Sequence, residues 1–199
     1  MYTTINIVLF PYFETLDVFG PVEVFGKADG FFLEYFSLAG GIISNNDNIK
    51  IETKPLNTLN IKASDILFVP GGMGTRKEID NQVFISKLKE LAESCRYVLT
   101  VCTGSALLAK TGLLDHKNAT SNKRAFEWVK ESRKEVEWIR EARWVNDGKF
   151  YTSSGVSAGI DMALGFISDM KGIDEARRIA YRIEYEWQED NTKDKFCNQ

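Results

Sequence analysis

Short apolar runs alternate along the chain with longer stretches in which apolar residues recur every three or four positions. Ile5 to Phe10 is an apolar run stopped by Pro11, and Phe31 to Ala39, Asp65 to Val69 and Tyr97 to Val101 repeat the form. Such runs predict strands of a mainly parallel sheet covered on both faces. Ile79, Val83, Phe84, Leu88 and Leu91 fall at helical spacing and predict an amphipathic crossover helix over Glu78 to Cys95. Further helices are predicted over Ser105 to Lys110, Arg124 to Val136, Val156 to Met170 and Ile173 to Trp187. Leu16 to Phe19 predicts one turn of helix, with Pro21 as the first-turn proline of a continuing one. The polar stretch from Ile42 to Ile61 predicts a small hairpin at the sheet edge, and Asp147-Gly148 marks a second hairpin between Arg143–Asn146 and Lys149–Ser153. The sum is a doubly wound α/β sandwich forming one domain over residues 1–199, with residues 188–199 as a polar tail expected to fray.

Composition narrows the function classes. With 44% hydrophobic residues, 27% charged residues and a formal net charge of -3, the chain is expected to be globular, and it has no basic stripe for a nucleic-acid backbone. No apolar run reaches the roughly 20 residues of a membrane span. The amino-terminal residues carry neither a basic leader nor a small-residue cleavage site, so a cytoplasmic protein is expected. Cys95, Cys102 and Cys197 cannot all pair with one another, which makes reduced thiols the default. Their spacing fits no metal-ligand pattern, and the single histidine, His116, is expected at the surface. Trp128, Trp138, Trp144 and Trp187 are expected as core or dimer-contact residues, and Asp161 as a residue serving the start of its own helix.

Candidate chemistry centres on Cys102, which stands where an apolar strand turns at once into a helix. That junction is where α/β sheets place ligands, and a helix amino terminus there favours thiolate over thiol. The alternative is that Cys102 simply packs, as free cysteines often do. Asp17 is flanked by Leu16, Val18 and Phe19, so it is either a cap or an acid whose pKa burial has raised. Pro70-Gly71-Gly72-Met73-Gly74 ends another strand and is either a plain turn or a loop whose backbone approaches a ligand closely.

Several segments together resemble the ThiJ/PfpI superfamily, in its isocyanide hydratase-like branch. They are Val8–Pro11, Leu16–Pro21, Val69–Gly72, Val101–Ser105, Gly112–Asp115 with Ala119-Thr120, Gly155–Leu164 and, weakly, Ile183–Tyr185. The resemblance implies a flavodoxin-like sandwich, a cysteine on a nucleophile elbow and a homodimer. It carries Cys102 over as the nucleophile and Asp17 as its acid partner. Protease-like members have a histidine directly after the cysteine; here that residue is Thr103, which leaves a Cys-His peptidase mechanism without its base. Relatives in the branch carry Thr-Thr-His-Trp where this chain has Thr120-Ser121-Asn122-Lys123, a departure that bears on substrate choice.

The activity implied is hydration of an isocyanide, a small-molecule substrate, to an N-substituted formamide through a Cys102 thioimidate. Asp17 would act as proton donor and then acceptor, and the backbone N–H groups of Gly72 and Thr103 would hold developing negative charge. No metal or organic cofactor is needed. The alternatives are a glyoxalase-like or amidase-like enzyme, a sensor whose Cys102 is oxidised, and a ligand-binding domain without turnover.

Overall fold

The computed structural model describes residues 2–63 and 65–198. Among the described residues, eight strands form one sheet. In chain order the elements are strand β1 (Thr3–Leu9), helix α1 (Thr15–Gly26), strands β2 (Phe31–Ser37), β3 (Gly41–Ser44), β4 (Lys50–Pro55) and β5 (Ile66–Val69), helices α2 (Thr75–Glu78) and α3 (Gln82–Ser94), strand β6 (Tyr97–Val101) and helix α4 (Gly104–Lys110). There follow β7 (Asn118–Ala119), α5 (Phe126–Ser132), β8 (Glu137–Trp138), β9 (Trp144–Asp147), β10 (Phe150–Ser153), α6 (Ala158–Lys171) and α7 (Ile173–Arg182). The sheet runs β3-β4-β2-β1-β5-β6-β10-β9, and only its two outer pairs are antiparallel. β7 and β8 pair separately.

The chain is thus a mostly parallel sheet between helical layers, as the strand and helix patterns predict. β5 and β6 are buried almost throughout, since both faces of the sheet are covered. Phe166 of α6 is fully buried and meets Phe25, Tyr97 and Tyr151 edge to face, which joins α1, α6 and the sheet into one core. The order of the strands matters for function. β1, β5 and β6 are neighbours, so the loops after them, carrying Pro11, Gly71-Gly72 and Cys102, emerge together at one sheet edge.

Five expectations change. Pro21 lies inside one continuous helix, α1, instead of starting a second; it has no N–H for the carbonyl of Asp17 four residues earlier, and tight packing of α1 against α6 holds the helix together. A Cβ on Gly20 would lie 2.7 Å from Ile160 Cγ1, so α1 and α6 touch nearly backbone to side chain. The helix expected over Glu78 to Cys95 is split, with α3 starting afresh at an Asn81 cap that accepts from the Phe84 N–H. The last helix stops at Arg182, and Glu184, at a φ of 53°, turns the chain back. That turn brings Tyr185 and Gln188 onto Asp161, whose Oδ1 accepts from the Tyr185 hydroxyl at 3.1 Å and the Gln188 N–H at 3.0 Å. Asp161 therefore anchors the carboxy-terminal segment, with Arg143 donating to its Oδ2 at 2.9 Å, instead of serving its own helix start.

The tail expected to fray is docked. The Arg143 N–H donates to Asn191 O at 2.8 Å, and Arg140 Nε donates to Cys197 O at 2.8 Å. The fully buried carboxylate of Asp194 stands 3.7 Å from Arg143 and 3.9 Å from Lys123. Lys123 is itself buried, and its ammonium also donates to Thr120 Oγ1 and Ala142 O. Burial pushes its pKa down to about 8, opposed by the charge of Asp194. A polar composition hides this, because each charge is met by a partner distant in sequence. Removing one member of a buried charge cluster strands the others, so Asp194→Ala is expected to lower stability by about 3 kcal/mol in urea unfolding; an unchanged midpoint would mean that the tail contributes nothing to the fold.

Candidate active site

β6 delivers Cys102 into a left-handed backbone conformation with a φ of 57°, and α4 begins two residues later. A non-glycine residue at positive φ is strained, and here surrounding hydrogen bonds fix it. The Cys102 N–H donates to Ser154 O at 3.1 Å, while its carbonyl accepts from Ser105 Oγ at 3.0 Å and Ser121 Oγ at 2.8 Å. Gly104 completes the turn, since a Cβ there would lie 2.5 Å from Val69 O and 2.6 Å from Pro70 O. The reading of a sharp strand-to-helix elbow therefore has a specific framework of strand, loop and serine contacts behind it.

Asp17 lies in the first turn of α1, is fully buried and caps nothing. Its Oδ2 accepts from the Gly71 N–H at 2.9 Å, while Oδ1 has no hydrogen-bond partner among the described residues. Burial raises its pKa well above the ordinary carboxylate value, with a smaller push from the charge of Glu14. The Gly71 N–H, the Cys102 thiol and the Val156 N–H pull the other way without cancelling it. Of the two readings the sequence left open, cap or buried acid, the structure has the buried acid.

The thiol departs from expectation. Burial, and then the charge of Asp17, raise the Cys102 pKa well above its ordinary value, outweighing the Thr103 N–H, the Val156 N–H and the Thr103 hydroxyl, which lower it. The helix amino terminus alone does not make a free thiolate here; burial sets the direction and the acid beside it adds to it. Asp17 and Cys102 are best described as a coupled pair in which a charge on one disfavours a charge on the other.

The loop after β5 fits against both. A Cβ on Gly71 would lie 2.6 Å from Thr103 N and 2.9 Å from Asp17 Oδ2. Gly72, at a φ of 124°, bridges Phe13, and Glu14 N–H donates to Gly71 O at 2.9 Å, so the loops before α1 and after β5 are pinned together. The Gly72 N–H, expected to face negative charge, is already given to Thr103 Oγ1 at 3.1 Å; Thr75 Oγ1 donates to the same oxygen, also at 3.1 Å. The Thr103 N–H acts on the sulfur by lowering the thiol's pKa. Beside it stands the Val156 N–H, which sequence reasoning missed although Gly155-Val156 opens one of the matched segments. Val156 is a β-branched residue at a φ of 45°, a strained conformation, and its N–H lowers the pKa of both members of the pair.

The departures at Asn122 and Lys123 have structural uses. Asn122 Oδ1 accepts from the Ala125 N–H at 3.0 Å, and its amide lies against Gly155. Both residues border a cavity of about 210 Å³ that is also lined by Ser154, Val156 and Phe196 of the tail. His116 is exposed as expected. Trp144 is buried, and Trp128, Trp138 and Trp187 are half-buried. Among the described residues no group of histidine, cysteine, aspartate and glutamate is arranged to hold a metal ion, and no helix is long and apolar enough to cross a membrane.

The sequence profile of the DJ-1/PfpI family matches residues 3–169. The chain belongs to the DJ-1/PfpI family. It is similar to the isonitrile hydratase of Pseudomonas putida, at 29% identity over 182 residues, which cover 91% of this chain and 78% of that protein. It is also 29% identical over 150 residues to the HTH-type transcriptional regulator GbdR of Pseudomonas aeruginosa, where the match covers 75% of this chain but only 40% of the regulator. Among solved structures, a THiJ/PfpI family protein from Pseudomonas syringae superposes with a TM-score of 0.81 at 24% identity, covering 94% of this chain and 76% of that one. Drosophila melanogaster DJ-1beta gives 0.78 at 19% identity, covering 94% and 100%. These likenesses show the fold. In this DJ-1/PfpI chain the elbow cysteine follows β6 directly and the buried acid lies in α1.

The close approach at Gly71 is testable. Gly71→Ala is expected to push Asp17 and Thr103 apart and to change the rate of Cys102 alkylation by iodoacetamide at least about threefold, with little loss of helical signal; an unchanged rate would mean that the loop does not set the geometry of the pair.

Proposed function

We propose that the chain hydrates isocyanides, with Cys102 as nucleophile and Asp17 as the group that moves protons. The observation that carries this reading is the buried acid, raised well above its ordinary pKa, next to an elbow cysteine followed by threonine instead of histidine. Similarity to an isonitrile hydratase over most of the chain supports the substrate class. The carbon of an isocyanide carries no leaving group, so the first step needs a proton at that carbon and no imidazole base. A small-molecule substrate of this kind requires no cofactor in the reaction.

In the reacting form Cys102 is the thiolate and Asp17 the acid. The sulfur attacks the terminal carbon as Asp17 delivers its proton to the same atom, forming C–S and C–H bonds and leaving a Cys102 thioimidate with an Asp17 carboxylate. Water then adds to the thioimidate carbon while Asp17 takes one of its protons and passes it to nitrogen. The tetrahedral adduct collapses by breaking the C–S bond, its hydroxyl proton going to Asp17. The products are the formamide, the thiolate and the protonated acid with which the cycle began.

Negative charge on sulfur or nitrogen is met by the N–H groups of Thr103 and Val156. The Gly72 N–H acts one step removed, by holding the Thr103 hydroxyl. A homodimer belongs to this reading: Tyr12, Leu16, Phe19 and Met73 leave an exposed apolar margin on α1 and the neighbouring loops that a second copy would cover.

The test is loss of a simple alkyl isocyanide and appearance of the formamide. Cys102→Ala is expected to abolish turnover, and Asp17→Asn to lower kcat by about 100-fold or more, the ordinary worth of a positioned acid-base group. Absence of formamide from folded wild-type protein across several isocyanides would overturn the assignment.

A further inference from the structure

Arg76 follows directly on Thr75, the residue whose hydroxyl donates to Thr103 Oγ1 beside the elbow. Its guanidinium carbon lies 3.3 Å from the ring centroid of Trp128 on α5, a stacking distance that fixes the plane of the group. The stack leaves the donor edges of the guanidinium uncovered. Arg76 forms no ion pair or side-chain hydrogen bond among the described residues, in contrast to Arg133, Arg143, Arg177 and Arg178, each of which pairs with a carboxylate. Both Arg76 and Trp128 are half-buried, so the cation is held in place yet open to solvent. Burial lowers its pKa, and the charge of Cys102, the residue before Thr103, opposes that. The Trp128 ring replaces the usual carboxylate partner: it immobilises the cation without neutralising it.

We infer that Arg76, stacked on Trp128, is the specificity-determining residue of the Cys102 site and selects small electrophiles that carry a carboxylate. This rests on the isocyanide reading only for the identity of the reacting group; under it, the substrate class is carboxylate-bearing isocyanides. The planar fork of a guanidinium matches a carboxylate with two parallel hydrogen bonds. A substrate so held presents its other end to the sulfur, while Asp17, protonated in the reacting form, adds no opposing charge. Arg76 touches no reacting atom in this scheme and acts through binding.

Two alkylating agents of nearly the same shape, anionic iodoacetate and neutral iodoacetamide, test the inference without requiring turnover. The ratio of their rates at Cys102 cancels any change in thiolate fraction. In a Cys197→Ser background, Arg76→Met is expected to lower the iodoacetate-to-iodoacetamide ratio about tenfold, and Arg76→Lys to restore part of it. An unchanged ratio, or an equal fall of both rates, would overturn the proposal. Where isocyanide turnover is found, Arg76→Met is further expected to raise KM for a carboxylated isocyanide about tenfold more than KM for a neutral alkyl isocyanide. Equal effects on the two substrates would count against it. Failure of turnover alone, with the alkylation ratio shifted, would remove the isocyanide reading and leave anion selection standing.

Discussion

A carboxyl group and a thiol are held together out of water at the end of β6, and much of the nearby architecture exists to make that contact possible. Neither group tolerates charge easily in this setting, because burial removes solvation from both and a charge on Asp17 opposes ionisation of the thiol. The same constraint makes the pair useful. One proton more or less decides which member is acid and which is nucleophile, and the surrounding N–H groups from Gly71, Thr103 and Val156 decide how much charge the pair can carry.

Bringing the two groups together demands unusually close backbone approaches. Gly20 lets α1 press on Ile160 of α6, and Gly159 lets α6 press on Val101, where a Cβ would lie 2.9 Å from Val101 Cγ1. Gly71 lets the loop after β5 pass between Asp17 and Thr103. The strained conformation at Cys102 persists because Ser105 and Ser121 donate to its carbonyl and its own N–H donates to the Ser154 carbonyl. Packing, loop and elbow are thus one mechanical unit, and the parallel order of β1, β5 and β6 is what delivers its parts to one edge.

What could be read from the sequence follows from how local each signal is. The parallel sheet and the elbow were legible because β6 and α4 write opposite periodicities on either side of Cys102. Asp17 was legible as an acid in an apolar setting, but its choice between cap and buried proton donor depends on Gly71 and Cys102, residues 54 and 85 positions away in the chain. The raised thiol pKa was not legible, since a helix start predicts the opposite sign and only burial beside Asp17 reverses it. The docking of the tail was likewise hidden, because Asp194, Lys123 and Arg143 are separately ordinary surface residues and become a buried cluster only in the fold. The pairing of Arg76 with Trp128 joins two helices that are far apart in sequence and share no motif.

The central claim, that Asp17 and Cys102 titrate as one coupled pair, is tested most directly by following the ultraviolet absorbance of the Cys102 thiolate against pH, taken as a difference from Cys102→Ala. The wild-type midpoint is expected above the ordinary cysteine value of about 8.5. A carboxylate beside a thiol disfavours the thiolate, so removing its charge in Asp17→Asn is expected to move the midpoint to lower pH. A wild-type midpoint below the ordinary value, or one that Asp17→Asn leaves in place, would contradict the account.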